Sequence, residues 1–446
     1  MGSPQTPTAE HLCILVHGLW GNPSHLNHLR DTLQAQHPED RLHILVAKSN
    51  ADSFTYDGIE IGGERITNEA EQKIKELEQA GTKIRRISIV GYSLGGLVAR
   101  YAIGLMYKNG LFKDIEPVNF TTFATPHLGV KVPKLGYTSN FFNFMGSRTL
   151  STSGQQMFLV DKFRDTGRPL LSIMADRSSI FMRGLRLFKN KSIYANTSND
   201  RSVPYYTAAM SRIDPFVDLE KVDVHYLPGQ DEPVLLDPSQ PVSPRKTKAE
   251  QLAAYARFTA FSQQVGKSLP FYALFFTLMP IAIPTFLVNS VFQTYKSSQR
   301  IRLHESGQAG VNLGRYRIPL LEDAQAAQDQ MLERLNSQTT HDFLPTPPPE
   351  PSSSGASRKS DDSSIKDEKN LARLESAKED SPFPILALTE EQFEMIDNLD
   401  KVGFTKYPAH IQKHRHTHAA IVVRTQKAGF EEGRAVVRHW AHTFEV

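Results

Sequence analysis

The stretch that most constrains the fold is RRISIVGYSLGGLVARYAIGLMYK, residues 85–108, in which an apolar run meets a helix-like run at a glycine-rich turn. The pattern Gly-x-Ser-x-Gly between a strand and a helix is typical of a nucleophile elbow, a tight turn that exposes the serine hydroxyl. Gly91 and Gly95 leave room for the turn, and Ser93 lies between them. The N-terminal amides of the helix favour negative charge beside that hydroxyl. The segment therefore predicts that Ser93 is a nucleophile.

Short apolar runs alternate with amphipathic runs along the chain. LCILVHG, LHILVAKS, VNFTTFATP and SIYANTSND are candidate strands, and HLRDTLQAQ and NEAEQKIKELEQ are candidate helices. Continuous apolar strands separated by amphipathic helices indicate a mostly parallel sheet with helices on both faces. HAAIVV, residues 418–423, followed by GFEEGRAVVRHWAHTF, residues 429–444, predicts one more strand and helix near the end. The pattern predicts an α/β fold.

A glycine-containing loop, HGLWGNPSH at residues 17–25, follows the first candidate strand. An oxyanion needs two hydrogen-bond donors, one directly after the nucleophile and one from a loop after an early strand. We therefore assign the backbone amides of Leu94 and Leu19. The alternative is an ordinary strand-to-helix turn capped by Ser24, and both can hold because the cap does not use the Leu19 amide.

An acid that orients the catalytic base is expected between the serine and the base in the chain order of this kind of site. In SIYANTSNDRSVPYYT an apolar strand runs into a polar loop, and Asp200 lies where the strand would deliver it to the carboxyl edge of the sheet. Asp176, which also follows an apolar run, is the second candidate. Asn199 is isosteric with an acid but carries no charge to stabilise an imidazolium.

The base is expected late in the chain, where HRHTHAAIVV places histidines at positions 414, 416 and 418. Alternate side chains of an extended chain share one face, so a metal site is an alternative. A single cysteine and the lack of a His-Glu-x-x-His pattern argue against metal. We predict His418 as the base because it adjoins the predicted final strand AAIVV, with His416 second. His414 and His410 are predicted to be exposed loop residues, or residues that keep the loop polar.

Five motifs carry a family resemblance when they are taken together. They are LVHGLWGNPSHL, GYSLGGLVARYAIG, NFTTFATPHLGV, SNDRSVPYYTA and HAAIVVR, spread over roughly residues 10–215 and 390–446. The set resembles the fungal serine esterases of the α/β-hydrolase superfamily, and within them the lipid-droplet phospholipase-like and lipase-like members. The resemblance implies an α/β-hydrolase fold and a Ser-Asp-His hydrolase of acyl lipids. Ser93, Asp200 and His418 stand at the matching positions.

An uncharged stretch runs from Ser268 to Tyr295 between Lys267 and Lys296. It is long enough to cross a bilayer, which takes roughly 20 residues. One crossing would separate the predicted base from the serine and the acid. Prolines at 270, 280 and 284 and lysines on both flanks instead favour a hairpin, Leu269 to Phe292, that enters and returns on the cytoplasmic face. A buried core helix or an apolar lid over the site are the alternatives.

The hairpin is expected to associate with a membrane or a lipid-droplet surface. Its membrane-associating residues are predicted to be Leu269, Phe275, Phe276, Leu278, Ile281 and Phe286. RGLRLFKNK, residues 183–191, alternates cations with apolar residues and is either a second lipid contact or an ordinary solvated segment.

Composition excludes some partners and compartments. The chain has 446 residues and a net charge of +3, so no basic excess indicates nucleic acid. The single cysteine, Cys13, suits a reducing compartment, and MGSPQTPTAE lacks the apolar core of a signal peptide, so secretion is not expected. Residues 336–382 are rich in proline, serine and charge, which predicts a disordered insertion.

The predicted organisation has five parts. They are a hydrolase core over 1–260, an apolar hairpin or lid over 261–300, a helical or irregular connector over 301–335, the disordered insertion over 336–382, and the C-terminal part of the core with the histidine over 383–446.

The resulting hypothesis is a serine lipase or phospholipase that forms an acyl-enzyme at a lipid surface, without a metal or an organic cofactor. A thioesterase or protein depalmitoylase is an alternative, since the same site cleaves thioesters. A membrane tether that has kept the fold and lost catalysis is the alternative from another class.

Overall fold

A parallel sheet forms the centre of the computed structural model, which describes residues 9–130, 151–245, 288–309, 383, 385–386 and 388–446. The strands among these residues are β1 (His11–Val16), β2 (His43–Val46), β3 (Arg86–Tyr92), β4 (Glu116–Phe123), β5 (Asn190–Asn196), β6 (Val222–Val224), β7 (Val242–Pro244) and β8 (Thr405–Ala409). Six of them are arranged in the order β2-β1-β3-β4-β5-β8, and each neighbouring pair is parallel. β6 and β7 form a separate antiparallel pair.

Helices cover this sheet. In chain order they are α1 (Asn27–Gln36), α2 (Ile59–Gln79), α3 (Leu94–Lys108), α4 (Ser151–Met157), α5 (Leu170–Met174), α6 (Ile180–Arg186), α7 (Tyr205–Ala208), α8 (residues 288–305), α9 (Glu390–Asp400), α10 (Thr417–Ala420) and α11 (Glu431–Thr443). Short 3-10 helices span Pro23–Leu26, Asp52–Tyr56, Leu111–Lys113, Arg164–Thr166, Leu219–Lys221 and Ala428–Phe430.

Two apolar clusters lie on opposite faces of the sheet, because successive strand side chains point to opposite faces. In β1, Leu12 and Ile14 belong to the cluster that includes α2 and α3, whereas Cys13 and Leu15 belong to the cluster that includes α1 and α11. All six residues of β1 are buried. A strand buried on both faces explains the continuous apolar runs of the sequence.

The strand order reverses direction at β1, which has β2 on one side and β3 on the other. In open parallel sheets the crevice outside the carboxyl ends of the strands at such a reversal is where ligands bind. The loop after β1 and the turn after β3 meet at this point, and they carry Leu19 and Ser93.

The predicted final strand over residues 418–423 is wrong. Thr417–Ala420 is the short helix α10, and the last strand of the sheet is β8, upstream of the histidines. Ala420 through Val423 are buried under α11, where a Cβ on Gly433 would collide with the carbonyl oxygen of Ala420. A short buried apolar run has the same composition in a strand and in a helix, so its periodicity could not separate the two.

The prediction that His410 is exposed is also wrong. His410 directly follows β8 and is 5% exposed. Its amide donates to the carbonyl of Val234, and its Nδ1 lies 2.8 Å from Oγ1 of Thr197. The chain around residue 234 covers His410. These positions are far apart in the sequence, so the burial of His410 could not be predicted from its neighbours.

In the segment over 183–191, two of the three large apolar side chains face the protein, which leaves one for the predicted lipid contact. Leu185 and Phe188 are buried, and the ring of Phe188 packs against Phe112 and Phe120. Leu187 is exposed, but a single apolar side chain is ordinary for a protein surface.

Several sequence predictions concern residues outside the described ones. The six membrane-associating residues and the insertion over 336–382 are among them, and only residues 288–292 of the predicted hairpin are described. Within the described residues, no helix combines the length and the apolar character that crossing a membrane requires.

Candidate active site

Ser93 occupies the turn between β3 and α3, as the sequence predicts. Its backbone is held at φ 55° and ψ −129°, a strained conformation for a residue other than glycine. The amide of Ser93 donates to the carbonyl of Phe123 at 2.9 Å, which ties the turn to the end of β4. Gly95 has no room for a side chain because a Cβ there would collide with the carbonyl oxygen of Val16.

Three residues far apart in sequence meet beside this turn. Nε2 of His418 lies 3.0 Å from Oγ of Ser93, and Nδ1 of His418 lies 2.9 Å from Oδ2 of Asp200. A base that contacts a serine hydroxyl on one side and a buried carboxylate on the other is the arrangement used for nucleophilic catalysis. These are the three residues that the sequence predicts for the site.

Asp200 is buried and surrounded by hydrogen-bond donors. Oδ1 accepts the amides of Ser202 and Val203 at 3.0 and 2.8 Å, and Oδ2 accepts Nδ2 of Asn196 at 2.8 Å. Burial alone raises the pKa of this carboxyl, but the charge of His418 and these hydrogen bonds outweigh it, so the pKa of Asp200 lies below its ordinary value. The group therefore stays a carboxylate near neutral pH.

The ionised carboxylate determines which nitrogen of His418 carries the proton. A carboxylate only accepts hydrogen bonds, so Nδ1 of His418 must donate to Asp200. In the neutral ring Nε2 is then the acceptor and faces the hydroxyl of Ser93. This is the tautomer that can take a proton from the serine.

His418 is also held by contacts that the sequence does not predict. The hydroxyl of Tyr92 donates to the carbonyl of His418 at 2.8 Å, and the two rings are 5.2 Å apart. Burial raises the pKa of Tyr92, which keeps the hydroxyl protonated as a donor. Oγ1 of Thr417 donates to the carbonyl of Ser198 at 2.9 Å. In the sequence, only the position of Tyr92 beside Ser93 in GYSLGG points to a role in the site. The role itself depends on a contact with His418, which is far away in the sequence.

The other candidates lie outside this contact set. Asp176 pairs with Arg168 at 3.3 Å, and Asn199 adopts φ 57° in the turn before the acid. Nδ1 of His414 accepts the amide of His416 at 3.0 Å. Over the described ranges, no group of three or more His, Cys, Asp or Glu side chains is placed to hold a metal ion.

The loop after β1 packs directly on Ser93. A Cβ on Gly18 would lie 2.6 Å from Cβ of Ser93, so only glycine allows this approach. In the part of the chain that the structure describes, the amides of Leu19 and Leu94 have no hydrogen-bond acceptor. An oxyanion requires two free backbone amides near the serine.

A cavity opens beside Leu94. It is lined by His17, Asn50, Phe54, Thr55, Gly58, Gly62, Leu94 and Val98. Burial lowers the pKa of His17, so this side chain is neutral near pH 7. The cavity lies between the first turn of α3, the 3-10 helix Asp52–Tyr56 and the start of α2.

Residues 6–212 match the family described as "Putative serine esterase (DUF676)". This part of the chain is therefore similar to that family. The matched residues include Ser93, Asp200 and the loop with Leu19, whereas His418 lies beyond them. The parallel strand order and the strand-turn-helix around Ser93 give the chain an α/β-hydrolase fold, which confirms the predicted fold class.

Yeast proteins are similar to the chain over part of its length. "Putative lipase ROG1" of Saccharomyces cerevisiae is 29% identical over 308 residues, which are 66% of this chain and 43% of that protein. "Putative lipase YDL109C" of the same yeast is 33% identical over 211 residues, 46% of this chain and 31% of that protein. The chain thus spans less than half the length of these relatives.

Among solved structures, the rice cell wall degrading esterase LipA from Xanthomonas oryzae matches with a TM-score of 0.26 and 13% identity. The match covers 46% of this chain and 71% of that one. Likeness at this level adds nothing to the fold assignment.

Proposed function

We propose that the chain is a serine hydrolase that cleaves acyl esters of lipids through an acyl-enzyme. The observation that carries the proposal is the pair of contacts that joins Ser93 to His418 and His418 to Asp200, at 3.0 and 2.9 Å. The family of residues 6–212 supports the same chemistry. Neither metal nor organic cofactor enters the reaction.

In the proposed reaction Oγ of Ser93 attacks the ester carbonyl while Nε2 of His418 takes its proton. His418 then gives the proton to the leaving alcohol, and a water molecule activated by the same nitrogen hydrolyses the acyl-enzyme. Asp200 holds the ring in the required tautomer. The amides of Leu19 and Leu94 receive the negative charge that develops on the carbonyl oxygen.

A lipid substrate, a glycerophospholipid or an acylglycerol, is proposed for two reasons. Relatives in yeast carry the name lipase. The uncharged stretch from Ser268 to Tyr295 suits a membrane or lipid-droplet surface. A hairpin on the cytoplasmic face keeps Ser93 and His418 on the same side of that surface, so we propose this location for the enzyme.

Labelling by a fluorophosphonate probe and hydrolysis of a soluble short-chain ester test the chemistry. Ser93→Ala should lose both, because the probe reacts with an activated serine. The matched control is Ser178→Ala, which removes an exposed hydroxyl that contacts Asp176 and should leave both unchanged. Near-normal hydrolysis by purified Ser93→Ala would rule out the mechanism, and an unlabelled wild-type protein would favour the tether.

The substrate class needs a separate measurement. Rates on phospholipid vesicles, on triacylglycerol emulsions and on a palmitoyl thioester, all corrected for the Ser93→Ala background, should rank an oxygen ester of a lipid first. A thioester rate that exceeds both lipid rates would replace the lipase with a thioesterase.

A further inference from the structure

α8 turns polar side chains toward the protein and apolar side chains away from it. The buried positions recur every seven residues and are Ser290, Ser297 and His304. Leu303 near the end of α8 is 51% exposed, and four apolar residues in its first half are between 50 and 71% exposed, namely Val288, Val291, Phe292 and Tyr295. An ordinary surface helix has the opposite arrangement. We call these four residues the outer face of α8.

Buried hydrogen bonds fix the orientation of α8. The carboxylate of Asp57 has no exposed side-chain surface and accepts Oγ of Ser297 at 2.7 Å and Nη2 of Arg300 at 2.8 Å. Nη2 of Arg65 reaches its other oxygen at 2.9 Å. We call Asp57, Arg65, Ser297 and Arg300 the Asp57 cluster.

A second buried pair lies one helical turn further along α8. Nε2 of His304 is 2.6 Å from Oε2 of Glu64, and neither side chain is exposed. Breaking a hydrogen bond between two buried side chains is costly, because water cannot replace it. Hydrogen bonds are directional, so α8 cannot rotate to bury its outer face without losing both contacts.

The Asp57 cluster also connects α8 to the cavity beside Leu94. The guanidinium of Arg300 lies 5.1 Å from the ring centre of Phe54, and its Nη2 donates to the carbonyl of Ser53 at 2.8 Å. Phe54 lines the cavity. The side chain of Phe54 therefore lies between Arg300 of α8 and the cavity beside Leu94.

The chemistry of the outer face fits a lipid surface. Its four residues belong to the stretch that carries no charge from Ser268 onward. Exposed cations, Lys296 and Arg302, follow on the same helix. Apolar side chains followed by cations are typical of a helix that lies in the interface of an anionic membrane.

We propose that the outer face of α8 rests on an anionic lipid surface and that the Asp57 cluster holds this face beside the cavity next to Leu94. The inference rests on the proposed lipid-ester hydrolysis and adds the surface through which the site meets its substrate. An acyl chain that leaves the lipid layer at α8 would pass Phe54 on its way to the serine.

A pair of variants of the full chain tests the surface. Val291→Glu with Phe292→Glu places two charges on the outer face. Val217→Glu is the matched control, because Val217 is 79% exposed and lies in a loop outside α8. The rate on vesicles of phosphatidylcholine with phosphatidylserine should fall at least tenfold in the double variant and stay within twofold in the control. The rate on a soluble ester should be unchanged in both.

Each other result has a defined meaning. A vesicle rate equal to that of the control overturns the lipid contact, and so does a loss of soluble-ester activity, which would mean that the face supports the site itself. A wild-type dimer in light scattering that the double variant abolishes would assign the face to a second copy. If the wild type hydrolyses soluble esters and no lipid, the proposed substrate is refuted. Binding of the protein to vesicles in a flotation experiment still tests whether the outer face of α8 contacts lipid.

The Asp57 cluster has its own test. Arg300→Gln removes one of the two positive charges that face Asp57, and Arg300→Lys retains it. We expect Arg300→Gln to lower the vesicle rate several-fold with an unchanged soluble-ester rate, and Arg300→Lys to restore most of it. Equal vesicle rates for Arg300→Gln and the wild type would show that the cluster does not position α8 for lipid.

Discussion

Ser93 and His418 form one functional unit in the proposed reaction, because the hydroxyl is a poor nucleophile until the ring takes its proton. Ser93→Ala and His418→Ala should each lower kcat on a soluble ester by about 10⁴-fold or more, and the double variant should be no worse than either. His416→Ala, two residues away and exposed, is the control and should keep most activity. If the losses in kcat of the two single variants add in the double variant, the two side chains act independently. Stoichiometric zinc in the purified protein, with activity lost to a chelator, would favour a metal site.

Asp200 links the site to the pH dependence of stability. Its pKa in the folded chain lies below the ordinary value of 3.8, so folding favours the ionised form. The stabilisation is therefore complete well above that value and is lost as the pH falls through the folded pKa. We expect the difference in unfolding free energy between the wild type and Asp200→Asn to be largest near pH 7 and to narrow below about pH 4. Urea unfolding across this range measures it, and a constant difference down to pH 3 would contradict the prediction.

At the level of elements, α10 and α11 place His418. Gly433 of α11 touches the carbonyl of Ala420 at the end of α10, so Gly433→Ala must push α10 away. Forcing a methyl group into a packed contact costs about 1–3 kcal/mol. We expect a lower unfolding midpoint together with a lower kcat on a soluble ester, because the displaced helix carries the ring of His418. An unchanged kcat in a destabilised variant would show that the ring is held from elsewhere, through Tyr92 and Asp200.

Elements with local signals could be predicted from the sequence. The strand, the glycine-rich turn and the helix around Ser93 are consecutive, and each limits the conformation of the next. Asp200 follows β5 by four residues, so its position at the edge of the sheet also followed from chain order. The fold class followed from strands that are apolar along their whole length, because such strands must be covered on both faces.

Elements whose environment depends on distant residues could not be predicted. AAIVV is equally suited to a strand and to the buried turns around α10. His410 looked exposed because nothing nearby in sequence covers it. The contact of Glu64 with His304 joins positions 240 apart, and no periodicity of either helix signals it.

For the whole molecule, the order of the site along the chain limits how it can meet a membrane. Ser93 and Asp200 precede the uncharged stretch Ser268–Tyr295, and His418 follows it, yet the three side chains are in contact. A segment that crossed a bilayer once would put the ring and the hydroxyl on opposite sides. The contact therefore favours a segment that enters and leaves on the same face, and both termini should lie on that side.

Protease protection measures this topology directly. Tags at residue 1 and residue 446 should both be digested on intact membranes or lipid droplets, in the wild type and in Ser93→Ala alike, while a marker inside the compartment stays protected until detergent is added. Charged residues in place of Phe275, Phe276, Leu278 and Ile281 should release the chain into the soluble fraction, because each charge costs about 2.5 to 3.5 kcal/mol at mid-membrane. That variant should still cleave a soluble ester, since the site does not include the segment. Protection of one tag in the wild type would mean that the segment spans the bilayer, and a site that joins Ser93 to His418 could not exist in the membrane-bound enzyme.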